Sequence, residues 1–330
     1  MIISKTPYRI SFFGGGSDYP EWYNKFEGEV ISSTINKYLY ISCRELPNFF
    51  DHKYRVVYSK VEEVKSIQDI QHKVVKFALI EQKIKDNLEI HYDGDLPSRS
   101  GMGSSSSFVV GLLNALNEYN KKRLSKKLLA NQSIHFEQKV LRECVGSQDQ
   151  VASSFGGFNS IIFNKKNTFK VKKIKNAEHF KKKLINNLVL LYTGKQRTAQ
   201  EIAKKFITNI TSSKKKEIKS ILECVFLAKD LIKKMQLDEF GLLLDESWKM
   251  KKKLHKDISN NELNHIYDLG KKNGALGGKI LGAGGGGFFL FYVPFEKRSF
   301  FLKRMNFLTN VPFEFEDFGS QIIFNSIKKN

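Results

Sequence analysis

A glycine- and serine-rich segment, Pro-Ser-Arg-Ser-Gly-Met-Gly-Ser-Ser-Ser, occupies residues 97–106. It follows a short alternating stretch at 88–92 and precedes apolar residues at helical spacing over 108–116. A strand that turns through glycines into a helix presents free backbone N–H groups and the positive end of the helix dipole. The glycines let the backbone approach phosphate oxygens, and the hydroxyls can bind phosphate or a metal. The segment therefore predicts a phosphate site; the alternative, a serine cap, needs one serine and not four.

Two carboxylates downstream are candidates for chemistry. Glu137 falls near the middle of the apolar face of a helix predicted over 125–143. A buried carboxylate needs a partner or takes up a proton, so either a salt bridge to a buried arginine or a metal site is expected there. Asp149 lies in Gly-Ser-Gln-Asp-Gln at 146–150, just before a helical turn. On local evidence alone, an aspartate in that place is a helix cap.

Both ends of the chain carry further glycine motifs. Arg9 lies within an extended apolar stretch, 7–13, where it requires a charged partner. Gly-Gly-Gly-Ser-Asp follows at 14–18, and Asp18 is either a turn residue or a ligand. Residues 282–287 formally match Gly-x-Gly-x-x-Gly, but a strand-like run follows instead of a helix, which argues against a Rossmann site. Five glycines among those six residues predict close approach to a ligand or to the phosphate loop.

The elements that must position these residues mix strands and helices. The least periodic and most lysine-rich stretch, 164–183, is the predicted domain junction. The predicted fold class is α+β, with domains at 1–170 and 171–330. Strands are expected at 2–13, 30–45, 54–60, 88–92, 158–163, 188–192, 311–316 and 320–325, with a hairpin over 277–293. Helices are expected at 19–25, 67–83, 104–120, 125–143, 197–210, 214–235, 238–255 and 260–273.

Composition narrows the class of protein. The chain has 330 residues, 41% of them hydrophobic, with no apolar run of membrane-spanning length and no signal-peptide core at its start. Three scattered cysteines suggest a reducing compartment, so a cytoplasmic protein without membrane contact is expected. The net charge is +21, but the basic runs are not interleaved with aromatic residues that would stack on bases. Solvated helix faces are the preferred interpretation; a basic nucleic-acid binder is the disfavoured one.

Taken together, the three motifs resemble those of the GHMP kinases, in the family's order and across nearly the whole chain. The resemblance implies a ribosomal-protein-S5-like N-terminal domain, a ferredoxin-like C-terminal domain and an active site between them. It also implies ATP and Mg²⁺ as cofactors, with Glu137 and Ser105 as metal ligands. Asp149 would orient or deprotonate the acceptor hydroxyl, and Arg9 would pair with it or with the phosphate. The residues expected to hold the nucleotide are Pro97, Ser100, Gly101, Met102, Gly103, Ser104, Ser105 and Ser106.

The acceptor motif differs from that of galactokinases, which carry Gly-Glu-His where this chain has glycines at 14–16. Gly-Gly-Gly-Ser-Asp, and Tyr-Thr-Gly-Lys-Gln-Arg at 192–197, resemble the heptose 7-phosphate kinases. This resemblance implies that the partner is a sugar phosphate, D-glycero-D-manno-heptose 7-phosphate. The enzyme would phosphorylate its anomeric hydroxyl, and the product would serve the synthesis of nucleotide-activated heptose. Several alternatives stay open. Residues 192–197 could be a solvated helix start, and the acceptor could be an unphosphorylated sugar. The protein could also be a non-catalytic sugar-phosphate-binding regulator, and it could form a homodimer. Expected substrate ligands are Gly15, Gly16, Ser17, Asp18, Gly194, Lys195, Arg197, Gly284 and Gly285.

Overall fold

In the part of the chain that the computed structural model describes, residues 1–196 and 199–326, the strands form two sheets. The strands are β1 (Ile2–Phe13), β2 (Gly28–Glu45), β3 (Tyr54–Val57), β4 (Val61–Val64), β5 (Leu88–Gly94), β6 (Phe158–Asn164), β7 (Thr168–Lys173), β8 (Leu188–Tyr192), β9 (Gly277–Ile280), β10 (Phe288–Tyr292), β11 (Thr309–Asn310), β12 (Phe315–Glu316) and β13 (Gln321–Asn325).

Helices connect and cover the strands. They are α1 (Pro20–Tyr23), α2 (Lys73–Glu81), α3 (Ser104–Tyr119), α4 (Lys126–His135), α5 (Gln148–Phe155), α6 (Ala177–Leu184), α7 (Ala199–Ile207), α8 (Lys215–Lys234), α9 (Leu237–Lys252), α10 (Asn261–Lys272) and α11 (Phe295–Arg304). A π-helical turn at Phe136–Val140 continues α4, and short 3₁₀ turns lie at Ile67–Asp69, Lys165–Asn167, Ile185–Asn187 and Lys256–Ile258. No helix in the described ranges combines the length and apolarity required to cross a membrane.

The larger sheet has nine strands, in the order β13-β1-β2-β5-β3-β4, with β12 and β6 beside β2 and β7 beside β6. Its pairs are antiparallel except β3 with β5. The register between β1 and β2 shifts between Pro7 and Arg9 and again between Ser11 and Phe13. Such irregularities re-aim side chains and are frequent next to active sites. Here they fall at the strand that carries Arg9.

The smaller sheet is antiparallel, in the order β11-β8-β10-β9. Its hairpin β9–β10 pairs Phe289 with Ile280 and Tyr292 with Gly277, which confirms the hairpin predicted over 277–293. α9 packs closely on β9: a Cβ at Gly277 would lie 2.0 Å from the Gly241 carbonyl oxygen. The apolar interior includes Phe108, Leu112 and Leu116 of α3 on the first sheet, and Trp248, Phe289 and Phe291 on the second.

The lysine-rich segment at 164–183, predicted to be an irregular domain junction, contains regular secondary structure. Residues 168–173 form β7, which pairs with β6 over its full length, and α6 follows. Phe169 is buried and Val171 is half-buried, while Lys170 and Lys172 are exposed, so residues 169–172 alternate as in a strand, although the lysine content conceals it. β7 runs past residue 170, and β12 and β13 return to the first sheet. The domain boundary at residue 170 remains a prediction. In the structure, residue 170 lies inside a strand of the first sheet and not between the two sheets.

Candidate active site

The phosphate loop leads directly into α3. Gly103, the residue before the helix, has a left-handed backbone (φ 78°), and no side chain caps the helix among the described residues. The loop is held internally, because the Ser100 hydroxyl donates to the Pro97 carbonyl oxygen (2.6 Å) and the Arg99 N–H donates to the Ser104 hydroxyl (3.2 Å). A 16-residue helix with an uncapped, glycine-led N-terminus fits the phosphates of a nucleotide.

The C-terminal glycine turn packs against this loop. A Cβ on Gly101 would lie 2.4 Å from the Leu281 carbonyl oxygen, and one on Gly287 would lie 2.0 Å from that of Ser100. Glycine is therefore required where the two backbones meet, in agreement with the close approach expected from the sequence. Gly284 and Gly285 lie against Ile258 instead, with the Gly285 N–H donating to its carbonyl oxygen (2.7 Å). Their assignment as substrate ligands remains a prediction.

Arg9 links the phosphate loop to Asp149. Its Nε and Nη2 donate to the Oδ1 and Oδ2 atoms of Asp149, each at 2.7 Å. Its Nη1 donates to the Gly101 carbonyl oxygen (2.7 Å), and its backbone N–H donates to the Met102 carbonyl oxygen (3.1 Å). Arg9 is buried, whereas 21% of the Asp149 side-chain surface is accessible to solvent. The charged partner that the sequence demanded for Arg9 is therefore Asp149, which does not act as the cap of α5: that position is Ser147.

Glu137 is fully buried on the π-helical turn. Ser106 Oγ donates to its Oε1 (3.1 Å), and the Gln150 amide donates to its Oε2. Burial raises the pKa of this carboxyl to about 8. No arginine pairs with it among the described residues, so the salt-bridge interpretation is not supported.

The serine that reaches Glu137 is Ser106, whereas Ser105 is exposed on the same turn. Carboxylate and hydroxyl oxygens are ligands suited to Mg²⁺, and a nearby cation would favour the ionised carboxylate. The residues thus fit a magnesium ion bound together with nucleotide phosphates. The described residues contain no group of three or more His, Cys, Asp or Glu side chains arranged for a metal. Ser105 as a ligand remains a prediction.

Asp18 is buried beside the segment that carries Asp149. Its Oδ1 accepts from the Gly16 N–H (2.9 Å), and its Oδ2 accepts from the Gln148 N–H (3.4 Å). Burial raises its pKa to about 6. A Cβ on Gly146 would lie 1.9 Å from Asp18 Oδ2, so only glycine fits there. The structure therefore places Asp18 and Asp149 on neighbouring segments, as a shared acceptor site requires.

The remaining predicted substrate ligands are not all gathered there. The Ser17 hydroxyl donates to the Gly14 carbonyl oxygen (2.8 Å) and accepts from the Glu29 N–H (3.1 Å), so it has partners within the fold. Lys195 is exposed and pairs with Glu262, and Gly194 borders open space. Arg197 lies outside the described residues. A phosphate site at 192–197 stays a prediction.

Lys279 is a site neighbour that the sequence analysis did not single out. It is buried on β9, and its Nζ donates to the Phe12 carbonyl oxygen at the end of β1 (2.7 Å). Burial, and then the charge of Arg9, lower its pKa to about 7. A lysine inside a strand that precedes a glycine turn was the available signal, but its burial depends on contact between distant parts of the chain.

Comparisons with known proteins agree with this geometry. Residues 70–157 match the family model of the GHMP kinases N terminal domain, and residues 227–306 match that of the GHMP kinases C terminal region. The chain is 29% identical over 316 residues to the D-glycero-alpha-D-manno-heptose 7-phosphate kinase of Campylobacter jejuni, covering 92% of this chain and 93% of the relative. It is 30% identical over 226 residues to the mevalonate kinase of Methanocaldococcus jannaschii, covering 67% of each chain.

Among solved structures, the crystal structure of a D-glycero-D-manno-heptose 1-phosphate kinase from Bacteroides thetaiotaomicron superposes with a TM-score of 0.80. The two sequences are 24% identical, and the superposition covers 99% of this chain and 100% of the other. This likeness shows that the two proteins share a fold. The first family match contains the phosphate loop, Glu137 and Asp149, and the second contains the glycine turn. Arg9 and Asp18 lie before the first matched region, so the matched regions contain most but not all of the assembled residues.

Proposed function

This chain belongs to the GHMP kinases, a family of ATP-dependent phosphotransferases, and we propose that its acceptor is a heptose 7-phosphate. The resemblance and the α+β, two-domain fold expected from the motifs are confirmed. The proposal specifies D-glycero-D-manno-heptose 7-phosphate, with O1 as the accepting hydroxyl and a 1,7-bisphosphate as the product. Such a product would serve the synthesis of nucleotide-activated heptose.

The observation that carries phosphoryl transfer to an acceptor hydroxyl is the position of Arg9 between Asp149 and the phosphate loop. Phosphoryl transfer needs an acceptor hydroxyl in line with the transferred group, and a carboxylate that orients it or takes its proton. Asp149 is part-exposed and held by two hydrogen bonds, so its orientation is fixed before any acceptor arrives. Arg9 connects that carboxylate to the loop that would hold the phosphates.

The chain's residues divide the work between donor and acceptor. When bound, ATP supplies the phosphoryl group, and Mg²⁺ offsets the charge that develops on it. The N–H groups at the start of α3 would hold the phosphates, and Glu137 with Ser105 and Ser106 would hold the cation. Asp149 accepts a hydrogen bond from the acceptor hydroxyl and then its proton, while Arg9 keeps the carboxylate in place.

Support for the acceptor comes from the relatives and from the glycines at 14–16. The relative that matches over 93% of its length is named a heptose 7-phosphate kinase, whereas the structural neighbour is named a heptose 1-phosphate kinase. At Gly15, in the segment that precedes Asp18, a Cβ would meet no atom nearer than 3.8 Å, so the glycine leaves room that a larger side chain would fill. An unphosphorylated sugar is the second candidate, because Lys195, a predicted phosphate ligand, pairs with Glu262.

A coupled assay of ADP release separates these acceptors. The panel contains heptose 7-phosphate, heptose 1-phosphate, free heptose, galactose and mevalonate, with Asp149→Asn as the inactive control. We expect the highest kcat/KM with heptose 7-phosphate. A free sugar that performs equally well would replace the proposal by the second candidate, and no ADP release with any acceptor would favour a non-catalytic regulator.

A further inference from the structure

The three glycines at 14–16 are not equivalent. Gly14 and Gly16 have left-handed backbones (φ 85° and 107°), and a Cβ on Gly14 would lie 1.9 Å from the Glu29 carbonyl oxygen. Gly15 has no such φ, and its Cβ would meet nothing nearer than 3.8 Å. The backbone at residue 15 could therefore carry a side chain without strain. Glycine at position 15 is therefore not required by the backbone conformation, and its effect is to leave a space open.

Gln148 borders that space. Its Nε2 and the Ser11 Oγ each lie 3.8 Å from the position that a Gly15 Cβ would take. The backbone N–H of Gln148 donates to Asp18 Oδ2 (3.4 Å), and the next residue is Asp149. Gln148 thus stands between the two carboxylates of the acceptor site, with its carboxamide beside the opening over Gly15.

The carboxamide oxygen of Gln148 lacks a hydrogen-bond partner in the described part of the chain. The residue is 9% exposed, and its Oε1 is buried without a hydrogen bond among the described residues. Buried polar atoms are nearly always paired, because an unpaired one loses its hydration and gains nothing. By contrast, Gln150, two positions on, uses its amide nitrogen to hold Glu137. The Gln148 side chain is therefore placed for a group that the chain does not supply.

We propose that Gln148 binds a hydroxyl group of the acceptor sugar in the space over Gly15, and that these two residues together select the acceptor. The proposal rests on the proposed function in that it takes the acceptor to be a sugar. A carboxamide both donates and accepts, and so does a hydroxyl, so the two groups match without any charge. A site built this way discriminates against an acceptor that lacks the hydroxyl, since the carboxamide whose Nε2 borders the space would then stay without that hydrogen bond.

Three variants test the assignment. Gln148→Met keeps the length of the side chain and removes its hydrogen bonds. Gly15→Ala fills the space with a methyl group that meets no atom nearer than 3.8 Å, so the fold is expected to survive. Gln321→Met, at an exposed position of β13, is the matched control. For the sugar that the wild type phosphorylates best, the first two should raise KM by about two- to tenfold, the worth of one neutral hydrogen bond, with KM for ATP unchanged.

Monodeoxy analogues of the sugar identify the contact. One analogue should bind the wild type more weakly by the same factor, and Gln148→Met should show no further loss with that analogue. Binding is followed by calorimetry as well as turnover, and melting temperatures confirm that each variant is folded. If Gln148→Met does not fold, the same analogue is tested on Gly15→Ala, where its penalty should change.

The outcomes separate this inference from the proposed function. A wild type that phosphorylates a sugar, with variants that match it in KM and in every analogue penalty, would overturn the role of Gln148 alone. A wild type that neither binds nor phosphorylates any sugar would overturn both. Additive penalties for the variant and for every analogue would likewise contradict a direct contact.

Discussion

Arg9 and Asp149, 140 positions apart in the chain, form an ion pair through two hydrogen bonds of 2.7 Å, Nε to Oδ1 and Nη2 to Oδ2. A guanidinium that grips a carboxylate in this way fixes its orientation as well as its charge. The third contact of Arg9, from Nη1 to the Gly101 carbonyl oxygen, ties the pair to the phosphate loop. The carboxylate expected to meet the acceptor is thereby positioned by the loop expected to hold the donor.

Replacement of Asp149 by asparagine tests the acceptor side. The amide keeps the shape but cannot take a proton, and positioned acid–base groups contribute about 10²–10⁴-fold to rate. We expect Asp149→Asn to lower kcat within that range with ATP affinity nearly intact, measured by steady-state kinetics and calorimetry. Asp230→Asn, in an exposed helical ion pair with Lys234, is the control and should leave kcat unchanged. An Asp149→Asn variant within a few-fold of wild type would contradict the assignment.

Gly103→Val tests the donor side. At φ 78° a branched side chain is strained, and its Cβ would lie 3.3 Å from the Arg9 Cγ and the Asp149 Oδ2. We expect ATP affinity, measured by calorimetry, to fall steeply while the circular dichroism spectrum stays that of a folded protein. Unchanged ATP affinity would show that the phosphates bind elsewhere.

Local patterns in the sequence predicted much of this site. The phosphate loop, Glu137 and the need of Arg9 for a partner all follow from residue types over short stretches. The choice of Ser106 to face Glu137 does not, because it depends on the π-helical turn at 136–140, where a regular helix was expected. An extra residue in a helical turn rotates the side chains that follow, and periodicity alone cannot locate it.

The features that local sequence patterns did not predict depend mostly on packing between distant parts of the chain. Lys279 is buried only because β9 meets the end of β1, an association between residues 267 positions apart. The return of β12 and β13 to the first sheet is likewise a matter of strand pairing across the chain. β7 was hidden for a different reason: its lysines lie on the solvent side, and the single buried Phe169 is a weak signal.

Glu137→Gln tests the metal site and has a stability signature. Burial raises the pKa of Glu137 to about 8 from an ordinary 4.5. Between these values the folded state holds a proton that the unfolded state has lost, so the free energy of unfolding falls as pH rises. Glutamine cannot ionise. The variant without Mg²⁺ should therefore gain stability relative to wild type from pH 5 to pH 8 in urea unfolding.

The same variant should require more Mg²⁺ for half-maximal activity and turn over more slowly, as shown by titrating Mg²⁺ at fixed ATP. Ser105→Ala and Ser106→Ala separate the two candidate hydroxyl ligands. A normal Mg²⁺ dependence of Glu137→Gln would identify Glu137 as a structural residue, and a stability difference that does not vary with pH would contradict its raised pKa.

Lys279→Met tests the buried amine. Burial and Arg9 lower its pKa to about 7 from 10.5, so between these values the unfolded state holds the extra proton. Lys279 therefore destabilises the fold most below pH 7, where its effect does not vary with pH, and the free energy of unfolding rises with pH from 7 to about 10 as that cost is removed. Methionine removes that rise, which has a limit of about 1.4 kcal/mol per pH unit. Urea unfolding of both proteins at pH 7, 8 and 9 measures it; parallel curves would contradict a depressed pKa.

The most direct test of the account is the identity of the product formed from ATP, Mg²⁺ and D-glycero-D-manno-heptose 7-phosphate, followed by ³¹P nuclear magnetic resonance. The account predicts one new phosphate resonance coupled to the anomeric proton, an unchanged 7-phosphate resonance, and one ADP for each molecule of product. Over the same reaction time, Asp149→Asn should give neither the new resonance nor the matching ADP release. ADP release without a new sugar phosphate, or a preference for free heptose over the 7-phosphate, would contradict it.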